Sequence, residues 1–264
     1  MDHGRRTPDD REAAPYSRLA EGYDAVMSYV DYAAWAEYVQ FLLERHHPAA
    51  RDVLELGCGT GTLALALQPL GSAGGYRYRA TDASEAMLAV ARRKAEAAGV
   101  PIRFAPADFR DLPPGPPADA VLLLYDGFNY LLDPRDVARL FRSALRALRP
   151  GGVFVVDQST PVNSLNHPDG FDDAGATGAF TYRRTSRYDP ETRRHTTRFR
   201  LETAGGDVHE ETHVQRAYTR AEVEPLARAA GFAVEAAYDG FSDDPAGDTA
   251  ERIHWVLRKP PVAA

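Results

Sequence analysis

Residues 53–67 read VLELGCGTGTLALAL, and this stretch decides the fold of the chain. Its first part is an apolar run typical of a buried strand, and TLALAL is typical of a helix. Between them, Gly57, Gly59 and Gly61 stand at alternate positions, which favours a tight turn. A helix that starts directly after such a turn exposes backbone N–H groups to a polar ligand. The stretch therefore predicts a ligand site between a strand and a helix.

Composition limits the class of protein and of partner. With 264 residues and 44% hydrophobic content, the chain can bury a substantial core. The net charge of -7 argues against broad capture of nucleic acid or anionic membrane and favours a small-molecule partner. Cys58 is the single cysteine, which excludes an internal disulfide. The start MDHGRRTPDDREAAP lacks a signal-peptide core and no run reaches transmembrane length, so we expect a soluble cytoplasmic protein.

Strand and helix patterns alternate along the first half of the chain. The predicted strands are 53–57, 76–82, 102–108, 119–126 and 151–158, and the predicted helices lie near 62–68, 84–98 and 134–148. Helical material is also expected from Tyr16 to about Glu44, after a loose arm over residues 1–15. This alternation is typical of a parallel sheet that is covered by helices on both faces.

The pattern changes after Gln158. Three alternating segments, FTYRRTSRY, RRHTTRFRLE and DVHEETHVQRAY, are separated by the turn sequences DPET and AGGD, which predicts an antiparallel insertion. A helix over 219–230, a strand from Gly231 and a last strand RIHWVLRK follow. The insertion carries many arginines, and we expect them to pair with acidic residues of its third strand, although a phosphate or nucleic-acid patch is an alternative. These arginines are residues 183, 184, 187, 193, 194, 198 and 200, and the acidic residues are Asp207, Glu210 and Glu211.

Three kinds of ligand compete for the glycine turn. A phosphate-binding P-loop requires Lys followed by Ser or Thr after its second glycine, and this chain has no such pair there. A dinucleotide fingerprint requires Gly or Ala at the sixth position of G-x-G-x-x-G, where this chain has Thr62. That departure weakens a nicotinamide site without excluding it.

The segment ELGCGTGTLAL resembles the first motif of class I S-adenosylmethionine-dependent methyltransferases, and the later motifs follow in the family's order over nearly the whole chain. The resemblance implies an α/β, Rossmann-like fold: a mostly parallel seven-stranded sheet, helices on both faces and an antiparallel β insertion after the fifth strand. The expected parts are an N-terminal arm and helical lid (1–44), an S-adenosylmethionine-binding core (45–158), the insertion as acceptor site or dimer contact (159–217) and the C-terminal completion of the sheet (218–264).

The resemblance also implies a set of cofactor contacts. Asp82, at the end of the second strand, matches the carboxylate that receives both ribose hydroxyls. Asp108 matches the position that reads the adenine amino group, and Phe109 stands beside the ring. Taken alone, an aspartate before a helix is as often a cap, and Cys58 is more often a small loop residue than a nucleophile. The implied cofactor-binding residues are Tyr16, Tyr23, Glu55, Gly57, Cys58, Gly59, Gly61, Asp82, Ala83, Met87, Asp108, Phe109, Tyr125 and Tyr130.

Two further segments bear on the methyl acceptor. YSRLAEGYDAVMSYVDYAAWAEYV is similar to the first helices of small-molecule methyltransferases, including amino-sugar N-methyltransferases and glycine N-methyltransferase, and this implies Tyr16 and Tyr23 near the sulfonium. An amphipathic core helix is the alternative. LLLYDGFNYLLD follows the fourth strand and places Asp126, Asn129 and Tyr130 toward the acceptor. It lacks the Asn/Asp-Pro-Pro-aromatic motif, which argues against nucleobase and glutamine substrates. Tyr23, Asp126 and Asn129 are the candidate catalytic residues.

The segment HEETH at 209–213 matches the H-E-x-x-H zinc pattern, which functions only on a helix. Gly205 and Gly206 before it and the flanking valines favour a strand, on which His209 and His213 would lie roughly 13 Å apart. We therefore predict no metal site.

The function expected from the sequence is direct displacement of the methyl group of S-adenosylmethionine by N or O of a small-molecule acceptor. A nicotinamide-dependent oxidoreductase and a non-catalytic S-adenosylmethionine-binding module are the alternatives, and a homodimer is left open.

Overall fold

The computed structural model describes residues 12–72, 74–167 and 170–262, which form twelve strands in two sheets. The strands are β1 (Glu12–Ala13), β2 (Asp52–Leu56), β3 (Arg77–Asp82), β4 (Ile102–Pro106), β5 (Ala118–Leu123), β6 (Leu148–Ser159), β7 (Asp172–Ala176), β8 (Phe180–Asp189), β9 (Arg194–Thr203), β10 (Val208–Arg216), β11 (Ala233–Asp239) and β12 (Arg252–Arg258). The helices are α1 (Tyr23–Val26), α2 (Tyr32–His46), α3 (Thr62–Leu67), α4 (Glu85–Ala98), α5 (Pro134–Ala147), α6 (Pro161–Asn166) and α7 (Arg220–Ala229), with 3₁₀ turns at Leu19–Gly22, Gln68–Leu70, Phe109–Asp111 and Gly127–Tyr130.

The larger sheet has the order β11-β12-β6-β5-β2-β3-β4. Strands β4, β3, β2, β5 and β6 pair in parallel, whereas β12 runs antiparallel to both of its neighbours. The predicted mostly parallel seven-stranded sheet is therefore confirmed. From β2 the chain builds outward through β3 and β4, and then returns to add β5 and β6 on the other side. Ligands of open α/β sheets bind at the carboxyl end of such a switch point.

Each face of this sheet is covered by helices that bury an apolar core. On one face α5 and α7 pack onto the sheet, where Phe141 of α5 and Val223 of α7 share a buried cluster with Trp255 of β12. On the other face α2 and α3 pack through Val39 and Leu63. Local sequence explains where the helices start, because Asp31, Ser84 and Asp133 each accept a hydrogen bond from a backbone N–H of the first turn, as N-cap residues do.

The insertion forms a second sheet with the order β1-β10-β9-β8-β7. The three predicted segments are confirmed as β8, β9 and β10, while β7 and β1 were not predicted. Residues 12 and 13 pair in parallel with Glu210 and Glu211, so the expectation of a loose arm is wrong at these two positions. A two-residue strand is too short to show a sequence pattern. It forms here because the edge of β10 offers unpaired backbone groups. Residues 1–11 of the expected arm lie outside the described residues.

Four of the seven arginines of the insertion form ion pairs with residues outside the predicted set. Arg183 and Arg184 bind Asp172 and Asp173 of β7, Arg193 binds Glu222 of α7, and Arg200 binds Glu202 of its own strand. Glu210 lies beside Arg200 in the register, on the face that also carries Arg183. For Glu211 the predicted pairing with an arginine is wrong, because its buried carboxylate accepts the backbone N–H groups of residues 16, 18 and 19 and contacts His213. Within the described ranges, no helix is long and apolar enough to span a membrane.

Candidate active site

A cavity of about 750 Å³ opens at the carboxyl edge of the parallel strands, between the larger sheet and the N-terminal residues. The turn after β2, the start of α4, the turn after β4 and the segment after β5 form its walls together with residues 14–17 and Tyr23. It brings together Tyr16, Tyr23, Glu55, Gly57, Cys58, Gly59, Asp82, Ala83, Met87, Asp108, Phe109, Tyr125 and Tyr130. Of the predicted site residues, Gly61, Asp126 and Asn129 stand outside the cavity wall.

The three glycines of the turn have different roles. All three have left-handed backbone conformations, with φ of 62° at Gly57, 54° at Gly59 and 73° at Gly61, which side-chain-bearing residues rarely adopt. A Cβ on Gly59 would meet no atom of the described residues within 4 Å, so this glycine borders open cavity. A Cβ on Gly61 would lie 3.0 Å from Ala91 Cβ, so Gly61 permits close packing of α3 against α4.

Two carboxyl groups lie at the base of the cavity. Asp82 accepts the Gly59 N–H through Oδ2 and the Ser84 N–H through Oδ1, both at 2.8 Å. Burial raises the pKa of Asp82, although these backbone donors act in the opposite direction. Glu55 accepts a hydrogen bond from the Tyr78 hydroxyl at 3.0 Å, and burial raises the pKa of Glu55 to about 7. Each carboxyl group keeps acceptor capacity for a ligand.

Asp108 lies farther along the cavity wall. It caps the 3₁₀ turn that begins at Phe109 by accepting the Arg110 N–H at 2.9 Å. The Arg110 guanidinium binds the same carboxylate and holds the pKa of Asp108 below its usual value. Asp108 is partly exposed, so it remains within reach of a ligand group.

The N-terminal side of the cavity is an entrance segment, residues 14–26, which is fastened at both ends. At one end the buried Glu211 carboxylate accepts the backbone N–H groups of Tyr16, Arg18 and Leu19 at 2.7, 2.6 and 3.0 Å. At the other end Asp24 lies 2.5 Å from Lys94 Nζ on α4. Asp24 also accepts hydrogen bonds from the hydroxyls of Thr60 and Thr62, at 2.5 and 3.2 Å, and thereby contacts the glycine turn.

Tyrosines line the part of the cavity beneath the entrance segment. The rings of Tyr16 and Tyr23 meet edge to face with centroids 5.9 Å apart, and the Tyr130 ring lies 5.7 Å from that of Tyr16. Burial raises the pKa of all three phenols, so they are neutral at physiological pH. They offer hydroxyl oxygens without introducing a charge.

Behind these tyrosines, two residues of β10 form a buried polar pair that the sequence did not reveal. His213 Nδ1 lies 2.9 Å from the Tyr130 hydroxyl, and His213 Nε2 lies 3.2 Å from a carboxylate oxygen of Glu211. The Tyr130 hydroxyl also contacts that of Tyr16. The predicted strand conformation of HEETH is confirmed. The alternation that argues against zinc is also the signal that Glu211 and His213 share one face.

Asp126 and Asn129 occupy structural positions. The Asp126 carboxylate lies 2.8 Å from Arg252 Nη1, which also binds the fully buried Asp157. Asn129 donates to the backbone carbonyls of Ser159 and Arg216, both at 2.8 Å, and accepts the Ser159 N–H at 3.0 Å. Its amide therefore ties the turn after β5 to both sheets.

Residues 53–152 match a methyltransferase domain family. Over 252 residues the chain is 30% identical to a methyltransferase-family protein of Geobacillus sp. (strain WCH70), covering 92% of this chain and 99% of the relative. The chain belongs to the S-adenosylmethionine-dependent methyltransferases. This membership overturns the alternative of a nicotinamide-dependent oxidoreductase, and the methyl donor of the enzyme is S-adenosylmethionine.

Solved structures agree with the fold of this methyltransferase. An S-adenosylmethionine-dependent methyltransferase from Clostridium acetobutylicum ATCC 824 superposes with a TM-score of 0.76 at 23% identity, covering 90% of this chain and 96% of the other. The sugar N-methyltransferase KedS8 from Streptoalloteichus sp ATCC 53650 is 27% identical with a TM-score of 0.70, covering 91% and 94%. The implied Rossmann-like fold is therefore confirmed.

Proposed function

We propose that this methyltransferase transfers the methyl group of S-adenosylmethionine to a nitrogen or oxygen atom of a small molecule, inside the cavity under the entrance segment. One observation carries the proposal. The glycine turn and the carboxyl groups of Asp82 and Asp108 share a single cavity with the tyrosines of the entrance segment and of the turn after β5. Both reactants of a methyl transfer must lie in one water-poor space.

The described residues fit the donor in their chemistry. Each Asp82 oxygen accepts one backbone N–H and keeps acceptor capacity for a ribose hydroxyl. Asp108 and Phe109 line the same cavity and would contact the adenine, and the open side of Gly59 would give the donor close access to the backbone. Glu55 supplies a further acidic group for the cationic donor. When bound, the donor supplies an activated methyl group.

The protein's own residues then hold the reactants in line and exclude water. Asp24 and Glu211 fasten the entrance segment over the cavity at its two ends. Tyr16, Tyr23 and Tyr130 stay neutral and surround the reacting groups with aromatic faces and hydroxyl oxygens. Such a wall stabilises a cationic centre without forming an ion pair.

Two observations support a small acceptor over a macromolecule. The entrance segment is pinned to β10 and α4, so the cavity lies under a fastened wall. KedS8, a structural neighbour across most of this chain, is a sugar N-methyltransferase, which favours an amine acceptor. The net charge of -7 points in the same direction, because it disfavours nucleic acid.

Release of S-adenosylhomocysteine in the presence of candidate acceptors tests this proposal. We expect release with at least one amino sugar, small amine or hydroxyl compound. Tyr23→Phe should lower turnover at least ten-fold while leaving donor affinity within a few-fold, whereas the matched change of the exposed Tyr29, Tyr29→Phe, should leave both unchanged. Methylation of tRNA or a protein substrate, with no release from any small molecule in the panel, would contradict the proposal.

A further inference from the structure

We propose that His213 is the final proton acceptor of the transfer, reached from the cavity through the hydroxyls of Tyr16 and Tyr130 and held in place by Glu211. This inference rests on the proposed function and extends it to an acceptor whose attacking nitrogen or oxygen carries a proton. Tyr16 and Tyr130 line the cavity, and His213 stands directly behind them. His213 is 4% exposed and Glu211 is fully buried.

The hydrogen bonds that connect Tyr16, Tyr130, His213 and Glu211 all run in one direction. Burial raises the pKa of Glu211, but the His213 ring and three backbone N–H groups outweigh burial and hold that pKa below its usual value. Glu211 is therefore a carboxylate, which only accepts, so His213 Nε2 must carry a proton and donate it. In a neutral ring Nδ1 then has a free lone pair, which accepts the hydroxyl proton of Tyr130. The oxygen of Tyr130 in turn accepts the hydroxyl proton of Tyr16.

The surroundings of His213 suit a proton acceptor. The titratable groups that face it are Tyr16 and Tyr130 from the cavity side and Glu211 from its own strand. The Tyr16 ring packs edge to face against the imidazole at 4.6 Å between centroids, and the Phe199 ring packs against it at 5.4 Å. This packing excludes water, and the carboxylate beside Nε2 stabilises an imidazolium.

The proton and electron pairs balance along this path. The acceptor's lone pair forms the new bond to the methyl carbon while the carbon–sulfur bond breaks and its electron pair stays on sulfur. The proton of the attacking atom moves to the Tyr16 oxygen, the Tyr16 proton moves to Tyr130, and the Tyr130 proton moves to His213 Nδ1. Both phenols finish neutral, and the positive charge lost at sulfur reappears on an imidazolium beside Glu211.

Glu211 also fastens the entrance segment, so loss of activity in a Glu211 variant would not separate relay from scaffold. His213 and Tyr130 separate the two roles, because neither is hydrogen-bonded to the backbone of that segment in the contacts described. Nitrogen NMR of the full chain labelled at histidine, at neutral pH and saturated with S-adenosylhomocysteine, reads the tautomer directly. We expect His213 to be protonated at Nε2 and bare at Nδ1, and Tyr130→Phe to shift the Nδ1 signal. The opposite tautomer would overturn the proposal.

A second experiment needs no identified acceptor. Sinefungin carries an ammonium group in place of the methylsulfonium, and S-adenosylhomocysteine carries neither. The ratio of their affinities therefore reports on the Tyr16 hydroxyl, the end of the proton relay that faces the cavity. His213 Nδ1 orients the hydroxyls of Tyr130 and Tyr16 so that the Tyr16 oxygen accepts a hydrogen bond from the ammonium group. We expect the ratio, measured by calorimetry at one neutral pH, to fall at least ten-fold in His213→Leu and in Tyr130→Phe. It should keep its wild-type value in His209→Gln.

Glu55 also faces the cavity and has a pKa of about 7, so all ratios are compared at the same pH. An unchanged ratio in folded His213→Leu would overturn the relay. If both ligands bind and the ratio of their affinities is the same in the wild type and the His213 variant, the donor site is supported and only the relay is contradicted. Failure of both ligands to bind the wild type would overturn the donor site and the relay together. Thermal unfolding of each variant establishes that it is folded.

Discussion

The glycine turn forms one wall of the cavity, and the insertion sheet supports the entrance segment that forms the opposite wall, but the turn and the sheet depend on the sequence in different ways. The glycine turn and its helix lie within fifteen consecutive residues, and Gly57, Gly59 and Gly61 each have a left-handed backbone, which forms the tight turn that their spacing predicted. Behind the opposite wall, Glu211 binds the backbone of Tyr16 across 195 positions of the chain. The difference shows that local backbone chemistry can be read from a motif, whereas a polar group placed by strand register cannot.

The largest expected effect tests the turn side of this comparison. Gly59→Ala and Gly99→Ala both place a side chain on a left-handed residue, at a cost of about 1 to 2 kcal/mol in unfolding free energy. In both, the new Cβ meets no atom of the described residues within 4 Å. Only Gly59 borders the cavity, so Gly59→Ala should weaken S-adenosylmethionine binding by about 100-fold, or about 3 kcal/mol. Calorimetry compares the two variants, and equal affinities would show that the turn is only structural.

Particular residues show how far the sequence could predict this molecule. Hydrophobic periodicity and glycine placement predicted the larger sheet, β8 to β10 and the position of Asp82 at the end of β3, because these depend on near neighbours. The pairing of β1 with β10 and the contact of Glu211 with Tyr16 depend on which strand faces which segment. Asn129 was expected to face the acceptor, but its amide binds backbone groups of β6 and β10, contacts that no local pattern encodes.

On the insertion side, Glu211→Gln keeps one carbonyl oxygen but removes the charge that three N–H groups of the entrance segment share. Hydrogen bonds to charged groups contribute about 1.5 to 3 kcal/mol each, so we expect a loss of about 2 to 3 kcal/mol in unfolding free energy. Glu210→Gln changes the adjacent exposed residue and should cost less than about 0.5 kcal/mol. Denaturant titration measures both, and similar losses would mean that Glu211 does not hold the segment.

A third substitution, Asn129→Ala, tests whether this residue contributes to stability or to donor binding. Asn129→Ala leaves the Ser159 N–H and two carbonyls without the amide that joins them, which should cost about 2 kcal/mol of unfolding free energy. Because Asn129 stands outside the cavity wall, donor affinity of the folded variant should stay within a few-fold of wild type. Denaturant titration and calorimetry provide the two readings. A large loss of affinity without a loss of stability would restore Asn129 as a cavity residue.

The smallest expected effect concerns His254, a buried histidine of the larger sheet. His254 donates through Nδ1 to the Gly240 carbonyl, and its Nε2 finds no partner among the described residues. Burial lowers the pKa of His254 from 6.5 to about 3. Between these values only the unfolded chain binds the proton, so stability falls as pH falls, by about 1.4 kcal/mol per pH unit. Denaturant titrations at neutral pH and about one unit below pH 6.5 give the loss of unfolding free energy in each protein. This loss should be smaller in His254→Gln than in the wild type. Equal losses would contradict the role assigned to His254.

The most direct test of the account is a calorimetric titration of the full chain with S-adenosylmethionine, comparing wild type with Asp82→Asn and with Asp111→Asn. Asp82 lies in the cavity wall between the glycine turn and α4, whereas Asp111 is exposed and pairs with Arg146. We predict one donor molecule per chain, a loss of about 1.5 to 3 kcal/mol of binding free energy in Asp82→Asn, and no significant change in Asp111→Asn. Equal affinity of Asp82→Asn and wild type, or binding of NAD in preference to S-adenosylmethionine, would contradict the account.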